Sequence, residues 1–112
     1  MLAHDELDSA RMAAMGSIDD LFMILKAMKA DELHIRVGIP PVIVHQGRQQ
    51  HLNWTVITLE EAERMLQHVA TTRQRRELRE HGSVRFLYTF QATTPFIVHA
   101  TLENEIVRLV VS

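Results

Sequence analysis

Apolar and polar positions along this chain follow one of two periods, and each change of period marks a change of element. Ile18, Leu21, Phe22, Leu25 and Met28 recur at i, i+3, i+4 and i+7 spacing, so a single helix face carries them all. Ser17 is placed to cap that helix, and Asp19 and Asp20 complement the positive end of its dipole. The period then drops to two. Leu33, Ile35 and Val37 alternate with His34 and Arg36, as in a half-buried strand. Gly38 then frees the backbone, and Pro40 and Pro41 withhold ladder donors. Val42-Ile43-Val44 resumes the strand pattern, Gln46-Gly47 turns the chain, and Arg48–Leu52 forms a third short strand.

Thr58-Leu59-Glu60-Glu61 has the form of a capping box and opens a second helix, whose buried stripe is Leu59, Ala62, Met65, Leu66 and Val69. Thr71-Thr72-Arg73-Gln74 repeats the signal for a short charged third helix, which His81-Gly82 ends. Strand patterning returns over Val84–Phe90, Phe96–Leu102 and Ile106–Val111, with turns at Gln91–Pro95 and Glu103–Glu105. The order is therefore α-βββ-αα-βββ. Two strand triplets with tight turns predict an α+β domain, an antiparallel sheet of about six strands with helices packed on one face. Residues 17–112 form that domain. Residues 1–16, with Leu7, Ala10 and Ala14 at loose helical spacing, read as a flexible or partner-dependent arm.

Composition narrows the functional classes. A chain of 112 residues supports a two-layer core without staples, and its lack of cysteine excludes disulfides, thiol nucleophiles and thiolate metal sites. A formal net charge of −2 gives no general attraction to nucleic acid or anionic lipid. No apolar run approaches the ~20 residues a membrane helix needs, and the first residues lack the basic start of a secretory signal. A cytoplasmic domain that inserts in no membrane is expected.

The stretch from Glu32 to Gly47 resembles the opening of the N-terminal domain of type IV pilus retraction ATPases and related type II secretion ATPases. The resemblance rests on Leu33-His34-Ile35 running into Gly38-x-Pro40-Pro41 and on the Gly47 turn. The Thr58 capping box, Thr72-Arg73-Gln74-Arg75, His81-Gly82 and Phe86-x-Tyr88 extend it in the same order across residues 17–112. It implies a PAS-like fold and a place in twitching motility or secretion. The departures are also informative. Val44 stands where the retraction ATPases tend to have arginine, and Arg85 where an acidic residue usually precedes the aromatic strand. Pro95-Phe96-Ile97-Val98-His99 and Thr101-Leu102-Glu103 replace segments that are arginine-bearing in the family. Because such arginines are the family's candidates for touching a neighbouring subunit or its nucleotide, the resemblance implies a domain that has lost nucleotide sensing.

Catalytic signals are absent from the sequence. A P-loop needs Gly-x-x-x-x-Gly-Lys-Ser/Thr to wrap phosphates, and Gly16, Gly38, Gly47 and Gly82 are isolated, so ATP hydrolysis by this chain is not expected. No serine sits in a nucleophile elbow, and Asp19-Asp20 and Glu60-Glu61 are accounted for as first-turn helix charges. The histidines show no zinc-type spacing, and neither metal nor cofactor is expected. Arg73, Arg75, Arg76 and Arg79 gather charge on the third helix. Interleaved acids make them either a solvated face or a docking patch for an acidic protein. Met12 and Met15 are adaptable contact candidates in the arm.

The expected function is a non-catalytic accessory domain that binds a pilus or secretion ATPase, or associates with itself, through the exposed sheet face, the arm or the arginine helix. Two alternatives remain. One is a small-molecule sensor with a cavity lined by His34, His45 and Tyr88; the other is the N-terminal part of a full ATPase.

Overall fold

The computed structural model describes residues 18–112. The expected arm, Met12 and Met15, and the Ser17 cap lie outside the described residues. The helices are α1 (Ile18–Met28), α2 (Leu59–Val69) and α3 (Thr72–His81). The strands are β1 (Glu32–Arg36), β2 (Val42–His45), β3 (Arg48–His51), β4 (Ser83–Phe90), β5 (Thr94–Glu103) and β6 (Ile106–Val111). The expected element order is the one observed.

The six strands form one sheet in the order β3-β2-β1-β6-β5-β4, with every neighbouring pair antiparallel. Each triplet is a meander, and β1 joins β6 in the middle, so first and last strands hold the two halves together. Tight turns set the registers. Gln46-Gly47 and Asn104-Glu105 both carry positive φ at two successive residues, the geometry that matches the twist of a hairpin. Asp31 accepts a 2.9 Å hydrogen bond from the Gln46 backbone N–H and so ties the β2–β3 turn to the start of β1.

One face of the sheet is covered by the three helices. Leu33 and Ile35 of β1, Val84, Phe86 and Phe90 of β4, Val98 and Ala100 of β5, and Leu109 of β6 meet Leu21, Phe22, Leu66 and Leu78 in a continuous core. Phe22 is its hub, with ring centroids 5.3 Å from both Tyr88 and Phe96 and 5.5 Å from Phe90. Fully burying an aromatic or leucine side chain of this kind contributes about 1.5–3 kcal/mol.

The structure corrects the sequence reading in two details. Leu59, expected in the α2 stripe, is 51% exposed, because as the first helical residue it lies beyond the part of α2 that rests on the sheet. Val37 falls outside β1 and instead forms a parallel bridge with Ile57. The Gly38 N–H donates to the Ile57 carbonyl at 2.8 Å and the Ile57 N–H to the Ile39 carbonyl at 3.0 Å. The segment before α2 is thereby clamped to the β1–β2 connection, with Ile57 1% exposed.

Candidate functional site

Strand alternation gives the sheet a second face that no described element covers. Because Leu33 and Ile35 point to the helices, Glu32, His34 and Arg36 point away. The same parity puts Val42 and Val44 of β2, Arg108 and Val110 of β6, Ile97, His99 and Thr101 of β5, and Arg85, Leu87 and Thr89 of β4 on this open face. Val42 is buried yet stands outside the core cluster, as its place on the opposite face requires.

The face alternates valines with histidines through its middle and is basic toward one end. One row of paired residues runs Arg85, His99, Val110, His34, Val42, His51 across all six strands. The adjoining row holds Thr101, Arg108 and Arg36, with the two arginines directly opposite each other. Like charges in a cross-strand pair cost stability, about 0.2–1 kcal/mol. Glu103 offsets part of this, with Oε1 3.7 Å from Arg108 Nη1. A shallow cleft of about 210 Å³ opens there, between Arg36, Arg108 and the Glu103-Asn104 corner. Exposed Leu87 (60%) and Ile97 (37%) carry apolar surface to the β4 edge. Apolar side chains beside guanidinium groups that outnumber their one local carboxylate, Glu103, suit an apolar protein surface that carries carboxylates.

The three side chains expected to line one cavity are not brought together. His34 is on the open face, where its Nε2 lies 3.0 Å from Glu32 Oε1. His45 has the opposite parity, on the helix side near the β2–β3 end. Tyr88 stacks on Phe22 at the other end of the sheet. Burial raises the Tyr88 phenol above its usual value, and the nearby Asp19 carboxylate adds to the rise. Asp19 itself is 3.1 Å from His68 Nε2, a contact that links α1 to α2. Among the described residues, no three metal-binding side chains converge.

The four arginines of α3 divide. Arg75 donates to the Ala70 carbonyl at 2.7 Å and to Thr72 Oγ1 at 3.3 Å, so it fastens the α2–α3 junction. Arg79 joins Arg75 along a cleft of about 410 Å³ over Leu66, Leu78 and Leu102, with Glu63 and Glu105 on its rim. Arg73 and Arg76 face solvent.

The open face was named from the sequence, but its residues were not. Their signal lay in three consecutive apolar runs, Val42-Ile43-Val44, Phe96-Ile97-Val98 and Leu109-Val110-Val111. In a strand with one solvated face every second position is polar, so an unbroken run marks an apolar second face.

Among the described residues, no helix is long and apolar enough to cross a membrane. No family model and no curated protein matches the sequence. Solved structures do match. The pilus retraction motor PilT with bound ADP superposes with a TM-score of 0.77 and 20% identity, over 85% of this chain and 28% of that chain. The ATPase DotB of Legionella pneumophila gives 0.70 and 15%, over 84% of this chain and 28% of its own. DotB of Yersinia pseudotuberculosis gives 0.66 and 14%, over 88% and 30%. The chain thus spans less than a third of each of these structures. What it shares with them is a fold, the α+β fold expected from the resemblance to pilus retraction and secretion ATPases.

Proposed function

We propose that this chain is a non-catalytic accessory domain that docks on an ATPase of the pilus retraction or secretion type, with the open face of its sheet as the docking surface. The observation that carries the proposal is that face. It is a broad surface on which Val44, Ile97 and Val110 are interleaved with Glu32, His34 and His99, with Arg36, Arg85 and Arg108 around them, on a fold shared with part of PilT and DotB. Exposed apolar area rimmed by charge is characteristic of protein–protein contact. A cytoplasmic location and a role in twitching motility or secretion follow from the proposed partner.

The test is an affinity capture from native extract of the source cell, read by mass spectrometry, comparing the natural chain with an Ile97→Asp, Arg108→Glu variant. Recovery of an ATPase of this class by the natural chain and its loss with the folded variant is the expected result. Equal recovery by both overturns the assignment of the face, and recovery of no such ATPase overturns the function.

A second reading is supported by the 410 Å³ cleft between α2, α3 and the β5–β6 turn, whose leucine floor and mixed rim of Arg75, Arg79, Glu63 and Glu105 suit a small zwitterionic amphiphile. Loss of ligand-induced thermal stabilisation in Arg79→Ala, across a panel of zwitterionic amphiphiles, is what that reading requires.

A further inference from the structure

The two edges of the sheet are built differently. β3 is four residues long, and Arg48, Gln49, Gln50 and His51 are all exposed and polar, a short edge that offers little to another strand. β4 at the other edge runs eight residues, Ser-Val-Arg-Phe-Leu-Tyr-Thr-Phe, and is rich in β-formers and free of proline and lysine. Its only charge is Arg85, and Leu87 in its middle is 60% exposed. Of the devices that normally blunt a long edge, the described residues supply a single charge, Arg85, and neither proline nor lysine.

The register shows which backbone groups this edge offers. The Leu102 N–H donates to the Gly82 carbonyl, so hydrogen-bonded pairs alternate from there, at Val84–Ala100, Phe86–Val98 and Tyr88–Phe96. Ile97 confirms the phase, because it exchanges both its bonds with Ser112 on the β6 side. Pro95, which has no N–H, sits opposite Thr89, in a pair that needs no donor. The N–H and C=O groups of Arg85, Leu87 and Thr89 therefore all point outward from the sheet.

We propose that β4 pairs antiparallel with β4 of a second copy of this chain, with Leu87 on the two-fold axis, extending the six-stranded sheet through a homodimer. In that register Leu87 meets Leu87 and Arg85 lies opposite Thr89 of the other copy, so the two arginines stay apart. On the helix side Tyr88 faces Phe86 of the other copy, which continues the aromatic cluster around Phe22 across the axis. A register shifted by two residues toward Ser83 brings the two Arg85 side chains into diagonal contact and is disfavoured. This pairing uses the edge of the sheet and does not depend on docking to an ATPase through its open face.

The test uses the full chain in sedimentation or light-scattering measurements over a concentration series. The natural chain is expected to be a dimer. Leu87→Pro removes an outward N–H that the isolated fold does not use, so it is expected to be monomeric with an unchanged circular dichroism spectrum. Leu87→Lys, which keeps the N–H and places two ammonium groups at the axis, serves should the proline variant not fold. Because the chain lacks cysteine, a single Leu87→Cys substitution reports the register. Directly paired residues lie about 5.5 Å apart, within disulfide reach, so mild oxidation is expected to give a covalent dimer. Arg85→Cys, about 13 Å from its counterpart, is expected to give none. A natural chain monomeric at every concentration, a dimer that survives Leu87→Pro, or cross-linking no faster at position 87 than at 85 overturns the proposal. Because Leu87 also lies on the open face, the capture assay uses Thr89→Pro, which removes another outward N–H at a residue not assigned to docking; a monomer of this variant that still captures an ATPase leaves the functional proposal standing and separates the two.

Discussion

Arg75 and Arg76 are adjacent in sequence and opposite in role. Arg75 spends its donors on the Ala70 carbonyl and the Thr72 hydroxyl, satisfying a carbonyl that the end of α2 leaves open. Arg76 faces water. Removing a charged donor from a part-buried carbonyl costs about 1–2 kcal/mol, whereas an exposed arginine is worth less than about 0.5 kcal/mol. Urea denaturation is therefore expected to show Arg75→Ala clearly destabilised and Arg76→Ala close to the natural chain. Nothing in the Arg-x-Arg-Arg pattern distinguishes the two, since the distinction arises only when α2 and α3 meet at Ala70. Tyr88 offers a second test at this scale. Its phenol is raised above 10.0 by burial first and by Asp19 second, so the native state disfavours the phenolate. As pH rises through 10.0 the unfolded chain releases its proton before the folded one, and the stability present below that pH is lost as the raised native value is passed. Tyr88→Phe is expected to flatten this alkaline decline in melting temperature while leaving the neutral value nearly unchanged. An equally steep decline in the variant would place the cause elsewhere.

Elements were legible wherever a local rule decided them. Thr71 Oγ1 accepts from the Gln74 N–H at 3.1 Å and Gln74 Oε1 from the Thr71 N–H at 2.9 Å, so the capping box read from four letters is present. Gly82 ends α3 with φ 78°, as the terminal glycine implied. A Cβ added at Gly82 would meet nothing within 4 Å, so Gly82→Ala tests backbone conformation alone and is expected to cost about 1 kcal/mol in thermal or chemical denaturation. Ile57 was not legible. It lies in the short connection Leu52–Thr58, which has no period of its own, and it is buried because two backbone bonds to Gly38 and Ile39 clamp it across nearly twenty residues of sequence. Long-range pairing of this kind leaves no mark in local spacing. Ile57→Ala is expected to cost about 2–4 kcal/mol, more than Leu59→Ala two residues later, although both positions read as equally apolar.

At the scale of the molecule the sheet is a slab with one side packed and the other open, and β6 carries both sides in successive residues. Leu109 is fully buried among the helices, while Val110 is only half-buried, between His99 and His34 on the open face. The parity facing the helices is readable at β1, where polar His34 and Arg36 alternate with Leu33 and Ile35, but not within Leu109-Val110-Val111, whose run is apolar on both faces and is resolved only by pairing with β1. The docking proposal therefore puts stability and recognition on opposite sides of one strand. Leu109→Ala opens a cavity in the core and is expected to cost about 2–4 kcal/mol, lowering the melting temperature whatever the chain binds. Val110→Asp instead puts a carboxylate between His99 and His34, next to the arginines that the docking proposal assigns to an acidic partner. It is expected to abolish capture of the ATPase while the core packing beneath it stays intact, with a denaturation midpoint well above that of Leu109→Ala. If Val110→Asp binds as well as the natural chain, the open face is not where the partner sits. If it unfolds as readily as Leu109→Ala, the two faces are not energetically separate.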